Sequence, residues 1–217
     1  MSNIAKLSGI KAVVFDVFGT LVEIDDKRRP FRQLMQLMEK AGRTPKPDDG
    51  MKIMSANVGL AGAAQMFGIE IPNNVLAELE LELYAELATV KAYPEVKLTL
   101  ESLRDAGLKI GVCSNLAAPY AVAVKLLLPF ELDNYTWSFE VGAVKPEAAI
   151  YEALCKGLNY DPHEVVMIGD TLDADYSGPR RFGIHGFHLA RREASPASEK
   201  LRTLDEILPL IGYQRAH

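Results

Sequence analysis

Short apolar runs recur along the chain, and each closes on a polar residue. Lys11 to Asp16 reads KAVVFD, Lys109 to Asn115 reads KIGVCSN, and Glu164 to Asp170 reads EVVMIGD. The runs are rich in β-branched residues and show no polar alternation, the pattern of strands buried on both faces. Gly186 to Ala190 (GFHLA) and the aromatic run Tyr135 to Phe139 (YTWSF) predict two more strands. Helical spacing fills the gaps. Val96, Leu100 and Leu103 share a face between Pro94 and Ala106, and Gly107 supplies the stop. Ala149, Ile150, Ala153 and Leu154 do the same after Pro146, a residue suited to a first helical position. Thr203 and Glu206 have capping-box spacing before a short last helix. This alternation predicts an α/β fold, a parallel sheet with helices on both faces.

Residues 24 to 92 break the alternation. They contain no convincing strand, and their periodicity is helical. Leu76, Leu79, Leu83, Leu87 and Val90 form one stripe on a long helix. Earlier helices are expected over Phe31 to Ala41 and Met51 to Phe67, punctuated by Pro45, Pro47 and Pro72. A crossover of this length exceeds what a parallel connection needs. It predicts an all-helical insertion over 24–92, with the α/β core built from 1–23 and 93–217. The Met and Leu residues of the insertion are expected to pack its own interior.

Composition narrows the function classes. With 24 Lys+Arg against 29 Asp+Glu, the net charge of −5 gives no bulk attraction to nucleic acid or to an anionic membrane. Two cysteines, Cys113 and Cys155, cannot build a disulfide framework or a four-thiolate zinc site. Ala117 to Phe130, the longest apolar stretch, is broken by Lys125 and Pro129, and MSNIAKLSGIK has no signal-peptide hydrophobic region. A cytoplasmic setting is the default expectation, with a small-molecule substrate and a monomer or homodimer. His163, His185, His188 and His217 show no metal-ligand spacing, and no Gly-x-Gly-x-x-Gly follows the first strand.

In open α/β sheets the active crevice lies at the carboxyl ends of the strands. Those ends carry Asp16, Ser114-Asn115 and Asp170. Lys145 stands at a helix entrance, and Asp173 and Asp175 follow Asp170 in GDTLDAD. Carboxylates gathered from separate strands repel one another, and a hard divalent cation such as Mg²⁺ resolves the repulsion. The set contains a carboxylate nucleophile, a hydroxyl donor, a fixed positive charge and a cation site. With these a hydrolysis can be split into two steps through a covalent intermediate.

Four segments together resemble the haloacid dehalogenase superfamily of aspartate-nucleophile hydrolases: FDVFGTL at Phe15–Leu21, VCSN at Val112–Asn115, VKPEAAIY at Val144–Tyr151 and MIGDTLDAD at Met167–Asp175. The resemblance covers essentially the whole chain. It implies a Rossmann-like three-layer core with a helical cap inserted after the first motif. It makes Asp16 the nucleophile, with Thr20 supporting its loop and positioning it. Ser114 and Asn115 would bind substrate, Ser114 by hydrogen-bonding the transferring group, and Lys145 would orient and neutralise nucleophile and substrate. Mg²⁺ would be held by Asp16, the Phe18 carbonyl, Asp170 and Asp175, while Asp173 would complement a helix N-terminus.

One position departs from the pattern. Phosphatases of this family carry a general acid two residues after the nucleophile, where this chain has Phe18. An aromatic residue there resembles the 2-haloacid dehalogenase branch, whose leaving halide needs no proton. That branch replaces the acids of the fourth motif, which this chain keeps, and Arg28, Arg29 and Arg32 read as a solvated helix face rather than a halide site. The leading expectation is therefore Mg²⁺-dependent hydrolysis of a small phosphorylated metabolite through an aspartyl-phosphate, with leaving groups that need little protonation. The alternatives are a metal-free dehalogenase-like hydrolase working through an aspartyl ester, and a catalytically weak ligand- or partner-binding protein.

Overall fold

Alternate residues of the first strand point into different apolar cores. The computed structural model describes residues 7–191 and 200–213. In β1 (Ala12–Phe15), Val13 and Phe15 enter one cluster with Leu100 and Val124, while Ala12 and Val14 enter another with Ile150 and Leu154. Burial on both faces is why the strand reads as unbroken apolar sequence. The chain then forms a small antiparallel pair, β2 (Val22–Ile24) with β3 (Val90–Ala92), and between them lie four helices. These are α1 (Pro30–Lys40), α2 (Asp49–Met54), α3 (Leu60–Met66) and α4 (Asn73–Leu87).

Beyond β3 come α5 (Val96–Asp105), β4 (Lys109–Ser114), α6 (Tyr120–Leu127), β5 (Asn134–Trp137), the single turn α7 (Ser138–Val141) and α8 (Ala148–Leu158). They are followed by β6 (Val165–Gly169), a π-helix (Leu172–Ser177), α9 (Gly178–Phe182), β7 (His185–Leu189), β8 (Lys200–Leu201) and α10 (Ile207–Leu210). The main sheet runs β5-β4-β1-β6-β7-β8, and every neighbouring pair is parallel. From β1 the chain reaches β4 on one side and β6 on the other, so the carboxyl end of β1 sits at the topological switch point. Register aligns Phe15 with both Val112 and Ile168, which brings Asp16, Ser114 and Asp170 to one edge.

The helical segment has an interior of its own. Leu34, Met38, Ile53, Leu60, Ala63, Leu79 and Leu83 are buried together, joined by Ala117 from the loop after β4. Arg43 stacks over Phe67 at 4.1 Å and forks onto Asp49 at 2.7 and 2.6 Å. That fork and the Lys46 N–H hold the Asp49 carboxyl down at about 2. No helix among the described residues is long and apolar enough to cross a membrane.

Several local expectations are corrected. Residues 24–92 do carry strand at their margins, and Val90 belongs to β3 rather than to the α4 stripe. Val90 stands three residues after Leu87, so helical spacing continues by coincidence into a strand three residues long. The helix expected over Met51 to Phe67 is two helices, because turn-forming Asn57 and Gly59 separate them. The fifth strand stops at Trp137, where Ser138 begins a helical turn. α8 begins at Ala148 and not at Pro146, since the Glu147 N–H bonds the Val144 carbonyl in a preceding turn. The capping box at Thr203 does not form: Glu206 accepts from the Arg202 N–H at 2.8 Å. His217 lies outside the described residues.

Candidate active site

Lys145 is the centre of the cluster. Its side chain is 2% exposed, and its Nζ donates to Asp16 Oδ1 at 2.9 Å, Asp175 Oδ1 at 2.6 Å and the Cys113 carbonyl at 2.7 Å. Three acceptors satisfy the three donors of an ammonium. Burial alone would lower its pKa; the carboxylates of Asp16 and Asp175 outweigh that, and the ammonium is held protonated. Ser114 Oγ, also buried, donates to the same Asp16 Oδ1 at 3.0 Å. Both of these hydrogen bonds go to Asp16 Oδ1, and among the described residues Oδ2 receives none.

Asp175 is fully buried, and the Thr171 N–H bonds its Oδ2 at 2.9 Å. Burial, opposed by Lys145 and reinforced by Asp16, pushes its carboxyl up to about 6. Asp170, at the solvent edge, is also raised, by burial and by Asp16. Ligand atoms of Asp16, Asp170 and Asp175 all lie within 4.8 Å of one another. Two glycines make the approach possible. A Cβ on Gly19, whose φ is +87°, would sit 2.0 Å from Asp170 Oδ2, and one on Gly169 would sit 2.3 Å from Asp175 Cγ.

The donor set fits a hard divalent ion. Three carboxylates face one ammonium, all offered atoms are oxygen, and burial, with Asp16 adding to it, raises the carboxyls of Asp170 and Asp175. A cleft of about 640 Å³ opens beside Asp170, lined in part by Phe18, Gly19, Lys27, His188 and Arg191. Phe18 turns its ring edge-on to Tyr120, with centroids 5.7 Å apart, and offers no transferable proton.

The other expected residues divide. Asn115 spends its amide on one neighbour: Nδ2 donates to the Lys145 carbonyl at 2.9 Å, and the Lys145 N–H donates to its Oδ1 at 2.7 Å. That clasp fixes the Lys145 loop. Thr20, four residues after Asp16, is buried, but its Oγ1 bonds neither Asp16 nor any other described group. Asp173 is exposed, in the first turn of the π-helix, and pairs with Arg181 at 3.0 Å. Arg28, Arg29 and Arg32 are exposed, and Arg28 pairs with Asp26 and Glu82. Cys113 is a buried core thiol, pushed up to about 12 by burial.

Two supporting residues carry no local sequence signal. His188 bonds the Asp170 carbonyl at 3.1 Å. Arg191 bonds the carbonyls of Gly19 (3.2 Å) and Thr20 (2.6 Å), pairs with Glu95 and lies over the Tyr93 ring. It ties the loop after Asp16 to the end of β7 from more than 170 residues away.

Comparison with known proteins shows the family of the chain and its fold. Residues 10–183 match the family model "haloacid dehalogenase-like hydrolase". A glyceraldehyde 3-phosphate phosphatase of Methanopyrus kandleri is 35% identical over 108 residues, 49% of this chain and 46% of that protein. An (S)-2-haloacid dehalogenase 4A of Burkholderia cepacia is 27% identical over 137 residues, 59% of this chain and 58% of that protein. The chain thus spans about half the length of these curated relatives. The crystal structure of a HAD phosphatase from Thermococcus onnurineus superposes with a TM-score of 0.65 at 25% identity, covering 95% of this chain and 100% of that one. The chain belongs to the haloacid dehalogenase-like hydrolases.

Proposed function

We propose that the protein is a divalent-cation-dependent phosphatase that transfers the phosphoryl group of a small metabolite to Asp16. The observation that carries this reading is the charge imbalance of the site: three clustered carboxylates share one buried ammonium. Ser114 and Lys145 hold Asp16 Oδ1, which aims Oδ2 at the substrate. Oδ2 forms the new bond to phosphorus as the bond to the leaving-group oxygen breaks and takes its electron pair with it. Water then attacks phosphorus of the aspartyl-phosphate, the P–O bond to Asp16 breaks with its electron pair returning to the carboxylate, and the released phosphate and solvent take up the water's protons. Lys145 keeps its proton throughout and neutralises the nucleophile. Asp16, Asp170 and the Phe18 carbonyl would hold Mg²⁺, with Asp175 behind them between Lys145 and the Thr171 N–H. When bound, the ion supplies charge neutralisation for the transferring group. The helical segment 24–92 acts as the cap over this site.

Phe18 gives no proton to the departing oxygen, so substrates with acidic leaving groups, acyl and aryl phosphates, are preferred. The phosphatase relative and the superposed phosphatase support this chemistry. Phe18 and the dehalogenase relative favour a second reading, attack on carbon with loss of halide. A metal-free site, however, leaves the carboxylate cluster unbalanced. The test is release of phosphate from acyl, aryl and alkyl phosphates, with Mg²⁺ and with chelator, beside release of halide from 2-haloacids. Acyl and aryl phosphates should turn over with Mg²⁺, alkyl phosphates slowly, and chelator should cost about 10²-fold or more. Phosphate turnover indifferent to chelator would overturn the metal assignment. Halide release that needs no metal would establish the second reading.

A further inference from the structure

The helical segment is joined to the core by the β2–β3 pair, yet two side-chain hydrogen bonds cross between them elsewhere. The Tyr120 hydroxyl on α6 donates to Glu86 Oε1 on α4 at 2.5 Å. Ser138 Oγ, at the start of α7, donates to the Met54 carbonyl at the end of α2 at 2.6 Å and accepts the Leu116 N–H at 3.1 Å. Both bonds flank the loop that follows Ser114 and Asn115, and Ala117 of that loop is buried in the helical segment's own interior. The Tyr120 ring also lies between the two parts, 5.7 Å from Phe18 of the core and 6.3 Å from Phe31 of α1.

Glu86 makes the first contact more than incidental. It is 2% exposed, and among the described residues no Lys or Arg pairs with it. Its second oxygen accepts the Arg29 N–H at 2.6 Å, holding a non-glycine residue at φ +58° where the chain enters α1. Thr89, three residues on, bonds the Glu86 carbonyl and receives the Asp26 N–H, so both connecting segments meet at this point. A buried carboxylate without a cation depends on its hydrogen bonds. Burial and Glu86 raise the Tyr120 pKa, so the hydroxyl remains a donor. Loss of that donor favours any state in which Glu86 meets water.

We infer that Tyr120 and Ser138 are positioning residues that latch the helical segment onto the core beside Asp16. The functional part of this inference rests on that segment being the cap of the proposed phosphatase. Tyr120 also packs against the Phe18 ring, which lines the cleft beside Asp170.

The test uses the full chain, with Tyr120→Phe, Ser138→Ala and the double variant. Tyr120→Phe keeps the ring packing and removes one hydrogen bond. Amide exchange in peptides covering 50–56 and 84–92 should quicken about tenfold or more, while β1, β4 and β6 keep wild-type rates. The KM for an acyl phosphate should rise about tenfold, with kcat changing much less, because the closed state is less populated. Unchanged exchange in these peptides, or exchange that rises equally in the core strands, would overturn the inference. So would faster exchange with an unchanged KM, which reduces the contacts to structural ones. If no phosphate is released from any substrate the proposed activity fails by itself, and the exchange measurement still decides whether the latch exists.

Discussion

Asp16→Asn is expected to abolish phosphate release, by about 10³-fold or more, while leaving the fold intact. The substituted side chain keeps an oxygen for Ser114 Oγ and Lys145 Nζ, so the hydrogen bonds at 3.0 and 2.9 Å have an acceptor. It replaces Oδ2, the oxygen left free by those bonds, with an amide nitrogen that is no nucleophile. Removing one of three clustered negative charges also relieves repulsion with Asp170 and Asp175. A thermal midpoint close to wild type, with phosphate release at background, is therefore the expected pair of results. A large loss of stability alongside the loss of activity would mean that Asp16 has a structural role that this geometry does not provide.

Lys145→Met should be costly in a different way. Methionine approximates the lysine stem, so packing changes little, but Asp16 and Asp175 lose the cation that balances them. Asp175 is fully buried, and an uncompensated buried charge costs about 3–5 kcal/mol. For a chain of this length that is a fall in Tm of roughly 6–20 °C. The melt belongs in chelator, where no divalent ion can stand in for the ammonium. Activity should fall with stability, since the nucleophile loses half of what orients it. Lys145→Arg is not expected to rescue, because a planar guanidinium cannot place three donors on the acceptors at 2.6, 2.7 and 2.9 Å. An unchanged midpoint in Lys145→Met would contradict a charged pair between Lys145 and Asp175.

Much of the fold was legible because its physics is local. Strands buried on both faces must be apolar throughout, which exposes β1, β4 and β6 in the residue pattern, and their polar last residues fall on the edge where register brings them together. The β2–β3 pair was hidden for the opposite reason. Each strand is three residues long, and Val90 continues the spacing of the preceding helix. Within the site, charge repulsion made the carboxylates readable, whereas hydrogen-bond partners were not. Asn115 reads as a substrate contact from its neighbour Ser114, but only the fold shows its amide closed on the Lys145 backbone. Glu86 sits among Glu78, Glu80 and Glu82 on a helix that looks solvated on that side, and its partner Tyr120 is 34 residues away. Arg191 and His188 act through backbone carbonyls of distant segments, which leaves no trace in spacing.

The covalent intermediate offers the most direct test of Asp16 as a phosphoryl acceptor. Protein mixed with an acyl phosphate and Mg²⁺ would be quenched in acid during turnover, digested, and its peptides weighed. The predicted result is a phosphoryl group on the peptide that carries Asp16, absent from Asp16→Asn. Turnover with no phosphorylated peptide, or with the group on another residue, would contradict it.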